Sequence, residues 1–161
     1  MDPYRFPRLF VEGMEGEEYA VVEGDEVCFT KERKPGALGK VPYEIPLEEL
    51  VDPLGEVAKV TFLVHLPNEN KAILVPKGTK LKLLRASHAK VGIVVKEGDE
   101  VKEGDTYAYG LTGKGEVRRL RTSFKGKVVM VHWEPYGGRD DYHVLLAPEG
   151  ARELRVRGPG C

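Results

Sequence analysis

Four side chains of types that commonly ligate metals are close together near the end of the sequence. They are His132, Glu134, Asp140 and His143. Imidazole and carboxylate groups bind zinc or harder cations, so this set is a candidate metal site. Strand alternation, however, places His132 and Trp133 on opposite faces of one strand, and Tyr136, Gly137 and Gly138 fit a mobile hairpin loop. We therefore favour a structural role for this segment and predict no bound metal.

A basic segment precedes these residues in the chain. Its cations are Arg118, Arg119, Arg121 and Lys125. They could contact phosphate groups, and Phe124 could stack on a base, which would make the segment an RNA- or anion-binding strand. Alternation instead puts Arg119 and Arg121 on one face and their neighbours on the other. Basic side chains on an edge strand also prevent aggregation, so we do not expect nucleic acid to be the partner.

Two Gly-Asp turns punctuate residues 94–105, which read VVKEGDEVKEGD. Glycine allows a positive φ, and aspartate can bond the backbone of its own turn. The segment resembles the V-x-x-G-D-x-V-x-x-G hairpin of biotinyl and lipoyl carrier domains. Residues 121–128 are similar to the second half of those domains, and residues 84–92 lie where their first-half strand does. The resemblance covers about residues 75–147 and implies a flattened β-barrel, the barrel-sandwich hybrid.

The resemblance also singles out Lys114. In those carriers biotin or lipoate is attached to a lysine at the tip of the hairpin between the halves. Lys114 stands about there, between Gly113 and Gly115, and should be exposed between two antiparallel strands. The methionines that flank the biotinyl lysine, and the acidic and apolar residues that flank the lipoyl lysine, are replaced here. We therefore expect no cofactor, with a swinging-arm carrier modified at Lys114 as the alternative.

Short apolar runs separated by glycine and proline continue along almost the whole chain. The sequence has 19 Gly and 11 Pro, and the runs between them are rich in Val, Leu, Tyr and Phe. They cover residues 18–23, 26–31, 57–66, 71–75, 79–84, 91–96, 106–111, 116–122, 127–133 and 142–147. This pattern predicts a mostly β protein with one helical turn at residues 46–51. Cys28 lies inside one run and is interpreted as a small apolar filler, since two cysteines make no disulfide framework.

The segment 91–133 should form two β layers linked by hairpins, without a helix longer than about two turns. We expect five valines in it to be largely buried. They are Val91, Val95, Val101, Val128 and Val129.

The charge distribution divides the chain into two parts. Residues 1–70 carry 15 acidic and 7 basic side chains, whereas residues 71–161 carry 11 acidic and 18 basic ones. Together with the polar turn at residues 67–70, this predicts a small acidic N-terminal β region, 1–70, and a basic biotinyl/lipoyl-like domain, 71–161. Carboxylates of residues 1–70 should lie near Lys or Arg side chains of residues 71–127, within the chain or across a dimer.

Composition also indicates the cellular location of the protein and the growth temperature of its host. No apolar run approaches the roughly 18 residues that a membrane helix needs, and no signal peptide is visible after Met1. Glutamine is absent and only two asparagines occur, which is typical of proteins from hot environments. We expect a cytoplasmic, thermophilic protein with no membrane partner.

No catalytic arrangement is visible, since Ser87 and Ser123 lie in no recognised nucleophile context. The whole chain resembles an uncharacterised archaeal family, which implies no activity. The favoured hypothesis is a non-catalytic, carrier-like or scaffold module that binds a protein partner or a second copy of itself. The lipoate or biotin carrier and the RNA- or anion-binding module stay as alternatives.

Overall fold

A computed structural model describes residues 6–134 and 138–161. The start of the chain, and Tyr136 and Gly137 of the expected mobile loop, lie outside the described residues. The structure is mostly β, as predicted, with 3-10 turns at Leu47–Glu49 and Pro67–Glu69. The first of these turns begins after Pro46, within the segment where a helical turn was expected. No helix in the described part of the chain is long and apolar enough to cross a membrane.

Seven strands form a closed barrel in the order β1-β4-β2-β3-β16-β8-β7. They are β1 (Arg8–Glu12), β2 (Tyr19–Glu23), β3 (Glu26–Thr30), β4 (Leu38–Val41), β7 (Phe62–Leu66), β8 (Lys71–Val75) and β16 (Arg152–Val156). All neighbours are antiparallel except β16 and β3, which run parallel. A two-stranded ribbon of β5 (Val51–Asp52) and β6 (Val57–Ala58) covers one side of the barrel.

The remaining strands form two further sheets. One has the order β11-β14-β15-β9, with β11 (Glu100–Val101), β14 (Gly126–Trp133), β15 (Asp140–Ala147) and β9 (Lys82–His88). The other has the order β10-β12-β13, with β10 (Lys90–Ile93), β12 (Thr106–Leu111) and β13 (Val117–Arg121). The strands of residues 91–133 are divided between these two sheets and no helix lies among them, which confirms the two-layer expectation for that segment.

Three hydrophobic cores stack these layers on one another. Phe10 and Leu63 lie among the side chains that fill the barrel interior. A second core joins the other face of β7, at Val64, to Met130 of the four-stranded sheet. A third core packs the far face of that sheet, at Leu146, on the three-stranded sheet. Every residue of β7 is buried because both of its faces are covered, which explains why its sequence is apolar except for His65.

A register shift in β14 lets two consecutive side chains reach the same core. The pairing of β14 with β15 shifts between Val128 and Met130, and such a bulge turns the strand locally. Val129 and Met130 therefore both join the second core, whereas Val128 lies on the opposite face in the third core. Val128 and Val129 are fully buried and Val101 is buried as well, whereas Val91 and Val95 are only half-buried, at the edge of the third core.

The chain passes from the barrel to the other sheets after β8, a few residues later than the point where it changes from acidic to basic. The polar segment 67–70 is a tight turn between β7 and β8, which pair with each other in the barrel. The chain leaves the barrel only after β8, and β16 brings residues 152–156 back between β3 and β8. A polar turn inside one sheet and a polar turn between domains have the same local sequence pattern.

Cys28 has a different role from the apolar filler that its strand position suggested. It is buried, but it forms a disulfide with Cys161, 133 residues away. The parallel contact of β3 and β16 contains only two paired positions. The chain after β16 continues along β3, where the Arg157 N–H donates to the Val27 carbonyl, and this course brings Cys161 to Cys28.

Candidate functional site

The β12–β13 hairpin presents Lys114 at its tip. The two strands pair antiparallel from Thr106 and Arg121 to Leu111 and Val117. Within the turn, Gly115 donates its N–H to the Thr112 carbonyl at 3.0 Å, and its φ of +82° is one that glycine adopts without strain. Lys114 is exposed, as the sequence predicted.

The outward surface of the three-stranded sheet combines apolar and basic side chains; we call it the outer face. It consists of Lys90, Tyr109, Leu111, Val117, Arg119 and Arg121. Tyr109, Leu111 and Val117 are 38%, 37% and 66% exposed. They line a shallow groove of about 340 Å³ together with Lys90. The Arg119 guanidinium lies over the Tyr109 ring, 5.9 Å from its centroid.

Strand alternation in β13 distributes the predicted basic residues as expected. Leu120 packs against the third core, while Arg119 and Arg121 point outward with Tyr109. Arg118 forms an exposed ion pair with Glu116 at 2.7 Å, a kind of contact that adds little stability.

Lys125 lies in the turn that follows β13 rather than on the outer face. Its neighbour Phe124 is covered by the Lys82 ammonium, 4.6 Å from the ring centroid. The basic set of residues 118–125 is thus spread over several environments.

His132 and His143 are brought together at the junction of the barrel and the four-stranded sheet. They are directly opposite each other on β14 and β15. His132 is fully buried, and its Nε2–H donates to the Ile45 carbonyl at 2.6 Å. The Nδ1 atoms of both rings are buried without a hydrogen-bond partner among the described residues. Trp133 projects to the other face, as alternation required, with its ring 6.4 Å from that of Tyr142.

Burial is the main cause that lowers the pKa of His143. Arg85 and His132 act in the same direction, whereas the carboxylates of Asp141 and Glu134 oppose them. His143 is therefore neutral at pH 7, with one ring nitrogen able to accept a hydrogen bond.

The two carboxylates among the candidate metal ligands, Glu134 and Asp140, take different positions. Glu134 Oε1 accepts the Leu47 N–H at 3.2 Å and lies 3.8 Å from His132 Nε2. Asp140 is directed to β10, where it accepts the Val91 N–H at 3.0 Å. Within residues 6–134 and 138–161, no three His, Cys, Asp or Glu side chains are placed to hold a metal ion together.

Glu97 is a junction residue that sequence reasoning missed. It is buried, and its Oε2 accepts the Tyr43 hydroxyl at 2.6 Å and the Val131 N–H at 3.0 Å. Burial raises the pKa of Tyr43 well above its ordinary value, and the Glu97 carboxylate acts in the same direction. Its sequence position gives no sign of this role, because Glu97 directly precedes a Gly-Asp pair, which is typical of a solvated turn.

The ion pairs that the described residues form across the charge division are partly solvated. Lys82 lies 3.8 Å from Glu56, which confirms that acidic and basic parts meet. Arg155 and Arg157 of the C-terminal segment also contact Glu26 and Glu23. Such partly solvated pairs guide orientation more than they add stability.

The chain is similar to known proteins over most of its length. Residues 4–149 match the family described as "Uncharacterized protein conserved in archaea (DUF2118)". The chain belongs to this archaeal family. It is also similar to "Uncharacterized protein MJ0859" from Methanocaldococcus jannaschii, at 27% identity over 157 residues, covering 92% of this chain and 95% of that protein. The family match includes the outer face and the His132–His143 pair and ends before β16.

Proposed function

We propose that this member of the archaeal family is a non-catalytic scaffold module that binds an acidic protein segment on its outer face. The observation that carries the proposal is the exposure of Tyr109, Leu111 and Val117 side by side on one sheet surface. Contiguous exposed apolar side chains with a polar rim are typical of protein interaction sites.

Charge defines the kind of segment that fits. Residues 90–93 and 106–121, which contain the three strands and the hairpin turn, carry five cationic side chains and one acidic one. Complementary charge steers a partner to such a surface and rejects partners of the same sign. A segment with carboxylates on both sides of aliphatic residues would match both features.

The apolar side chains favour protein over nucleic acid. Leu111 and Val117 are aliphatic and offer no ring on which a base could stack. The rings of Tyr109 and Phe124 are already approached by Arg119 and Lys82. The acidic barrel surface of a second copy is one protein source of such a segment.

Backbone ¹H–¹⁵N spectra of the whole chain provide the test. The probe is a capped peptide of alternating Glu and Val, compared with its Lys-Val counterpart and with a short single-stranded RNA. We expect the acidic peptide alone to shift β12 and β13 resonances, and Arg119→Glu to weaken its binding about tenfold or more. The matched control Lys125→Glu changes a basic residue off the outer face and should bind as wild type.

Equal binding of the two peptides, binding of RNA alone, or shifts elsewhere on the surface would contradict the proposal. Self-association that Arg119→Glu abolishes would identify a second copy as the protein partner.

A second candidate function is the carrier modified at Lys114. Its support is the exposed lysine in the turn of an antiparallel hairpin. It also rests on our proposal that residues 82–147 form a barrel-sandwich of the biotinyl/lipoyl kind. The experiment is incubation with a biotin or lipoate ligase and its substrates, read as intact mass. We expect no increase in mass. A covalent adduct that is absent from the Lys114→Arg variant would show that the protein is a carrier, and this function would replace the proposed binding of an acidic protein segment.

We further propose a cytoplasmic location in a thermophilic host. The near absence of amide side chains supports this. The Cys28–Cys161 disulfide is compatible with it, because intracellular proteins of hyperthermophilic archaea are rich in disulfides.

A further inference from the structure

The two edges of the three-stranded sheet differ in how their backbone groups are satisfied. At the β10 edge, the Val91 N–H donates to the Asp140 carboxylate at 3.0 Å, so a side chain of β15 covers part of that edge. At the other edge, β13 pairs with β12 and with no further strand of the described chain. Every residue of β13 is exposed except Leu120, which is half-buried. β13 is therefore an open edge strand.

Hydrogen bonds at both ends of β13 fix the direction of its backbone groups. Just before the strand, the Glu116 carbonyl accepts the Thr112 N–H at 2.9 Å. Just after it, the Thr122 N–H donates to the Asp105 carbonyl at 2.9 Å. Since backbone groups alternate in direction along a strand, the even-numbered residues of β13 face β12. The N–H and C=O groups that point away from the sheet, without a partner among the described residues, belong to Val117, Arg119 and Arg121.

The side chains along this open edge are mostly cationic. Arg119 and Arg121 project to the outer face, and Arg118 projects to the opposite one. Pairing with β13 of a second copy would bring arginines against one another, and like charges at facing positions destabilise a strand pair. Opposite charges at these positions stabilise it. The charges that keep a second copy away therefore select an acidic strand.

We propose that the acidic partner segment adds to β13 as an extended fourth strand of this sheet. The inference rests on the proposed function, because both use the same cationic surface, and it adds that the partner is held through its backbone. The outward N–H and C=O groups of β13 supply the hydrogen bonds, and pockets for alternate side chains give specificity, as in other cases of strand addition.

The side-chain pattern of the partner follows from this arrangement. Successive side chains of a strand project to opposite faces of the sheet. Carboxylates at every second position then lie beside Arg119 and Arg121, while the aliphatic residues between them lie on the face of Leu120. A segment in which acidic and aliphatic residues alternate fits both faces of the edge.

Hydrogen exchange of single backbone amides in the whole chain provides the test, with the capped Glu-Val peptide as the probe. At saturating peptide, exchange at Val117, Arg119 and Arg121 should slow about tenfold or more, because these amides become hydrogen-bonded. The amides of Arg118 and Leu120 already face β12 and should change less. A segment that only lies across the outer face, without pairing, would leave the exchange rates of the three edge amides as they are in the free protein.

Two N-methylated forms of the same peptide provide the matched control. One form carries a methyl group on the nitrogen of every glutamate, and the other carries it on the nitrogen of every valine, so their charge and composition are equal. Successive N–H groups of a strand point to opposite sides, so only one form keeps its donors towards β13. We expect that form to bind about tenfold or more tightly than the other, because the other loses several hydrogen bonds.

Two results would overturn strand addition and leave the proposed function intact. One is a peptide that shifts the β12 and β13 resonances while exchange at the three edge amides stays unchanged. The other is equal binding of the two methylated forms. If the unmodified peptide does not bind at all, the proposed function and the strand addition that rests on it are both contradicted.

Discussion

His65 is a buried imidazole whose protonation opposes folding. It is 8% exposed, and its Nδ1 accepts the Arg8 Nε–H at 3.1 Å. Burial, and secondarily the Arg8 charge, lower its pKa from 6.5 to about 4. The folded protein therefore keeps His65 neutral in a pH range where the unfolded chain binds a proton.

The first prediction concerns the pH dependence that follows from this shift. Above about pH 6.5 His65 is neutral in both the folded and the unfolded chain, and the free energy of unfolding has its full value. As the pH falls towards 4 only the unfolded chain binds the proton, which lowers the free energy of unfolding by up to roughly 3 kcal/mol. His143 changes stability in the same direction. Urea unfolding at pH 7.5, 5.5 and 4.5 should show a shallower loss for His65→Gln, whose amide can still accept from Arg8. If the free energy of unfolding falls equally with pH in the wild type and in His65→Gln, the pH dependence does not come from His65.

The second prediction tests the buried carboxylate of Glu97. Glu97→Ala leaves the Tyr43 hydroxyl and the Val131 N–H without their acceptor, so it should lower the free energy of unfolding by about 2–4 kcal/mol. Glu97→Gln retains one oxygen and should lower it less. The exposed Glu103→Ala is the control and should stay within about 0.5 kcal/mol of wild type by denaturant titration. A Glu97→Ala variant as stable as that control would show that these hydrogen bonds do not hold the junction.

Some residue positions could be predicted from sequence and others could not. Lys114 and Arg119 were placed correctly because a glycine turn and strand alternation act over a few residues. Glu97 and His65 were missed because their partners, Tyr43 and Arg8, lie 54 and 57 residues away. No local pattern distinguishes a carboxylate that will be buried from one in a solvated turn.

At the scale of the elements, β4 depends on a glycine for its position in the barrel. Gly39 lies between β1 and β2, opposite Val11 and Tyr19. A Cβ at this position would overlap the backbone carbonyl oxygen of Met14. Backbone on both sides leaves little space to relax.

The third prediction follows from that contact. Gly39→Ala should lower the free energy of unfolding by about 1–3 kcal/mol, as overpacking does. Gly92→Ala in β10 is the matched control, because a Cβ there meets no atom within 4 Å; it should be neutral or slightly stabilising. Thermal melting of the two variants provides the comparison, and equal midpoints would refute the overlap.

The apolar runs predicted most strands but not all of them. The strands β1, β4 and β16 escaped prediction; each is five residues or fewer and includes charged side chains, but the predicted strand β13 shares both features, so local sequence does not separate them. These segments form strands because they pair with neighbouring strands of the barrel, since strand propensity depends on neighbours across the sheet more than on local sequence.

At the scale of the whole molecule, one covalent bond secures the barrel at its parallel pairing, which has only two paired positions. The Cys28–Cys161 disulfide joins β3 to the segment after β16 and closes a 133-residue loop. The sequence could not indicate this pairing, because two cysteines so far apart have no characteristic spacing.

The fourth prediction concerns that bond. Because cross-linking a loop of this length restricts the unfolded chain, reduction should lower the free energy of unfolding by about 4–5 kcal/mol in the chain-entropy model. Thermal melting with and without a phosphine reductant measures the loss. The Cys28→Ser/Cys161→Ser variant should melt at the lower temperature in both conditions. If the reductant leaves the melting temperature of the wild type unchanged, the disulfide does not contribute to stability.

The position of β16 also has a consequence for synthesis on the ribosome. Since β16 lies between β3 and β8, the barrel of the nascent chain stays open until residue 156 has emerged, after all strands of the two sheets. Until then β3 and β8 each expose an unpaired edge that could pair with another chain. Non-local closure of this kind is slow, so the time between translation of β8 and of β16 is when this protein is most open to misassembly.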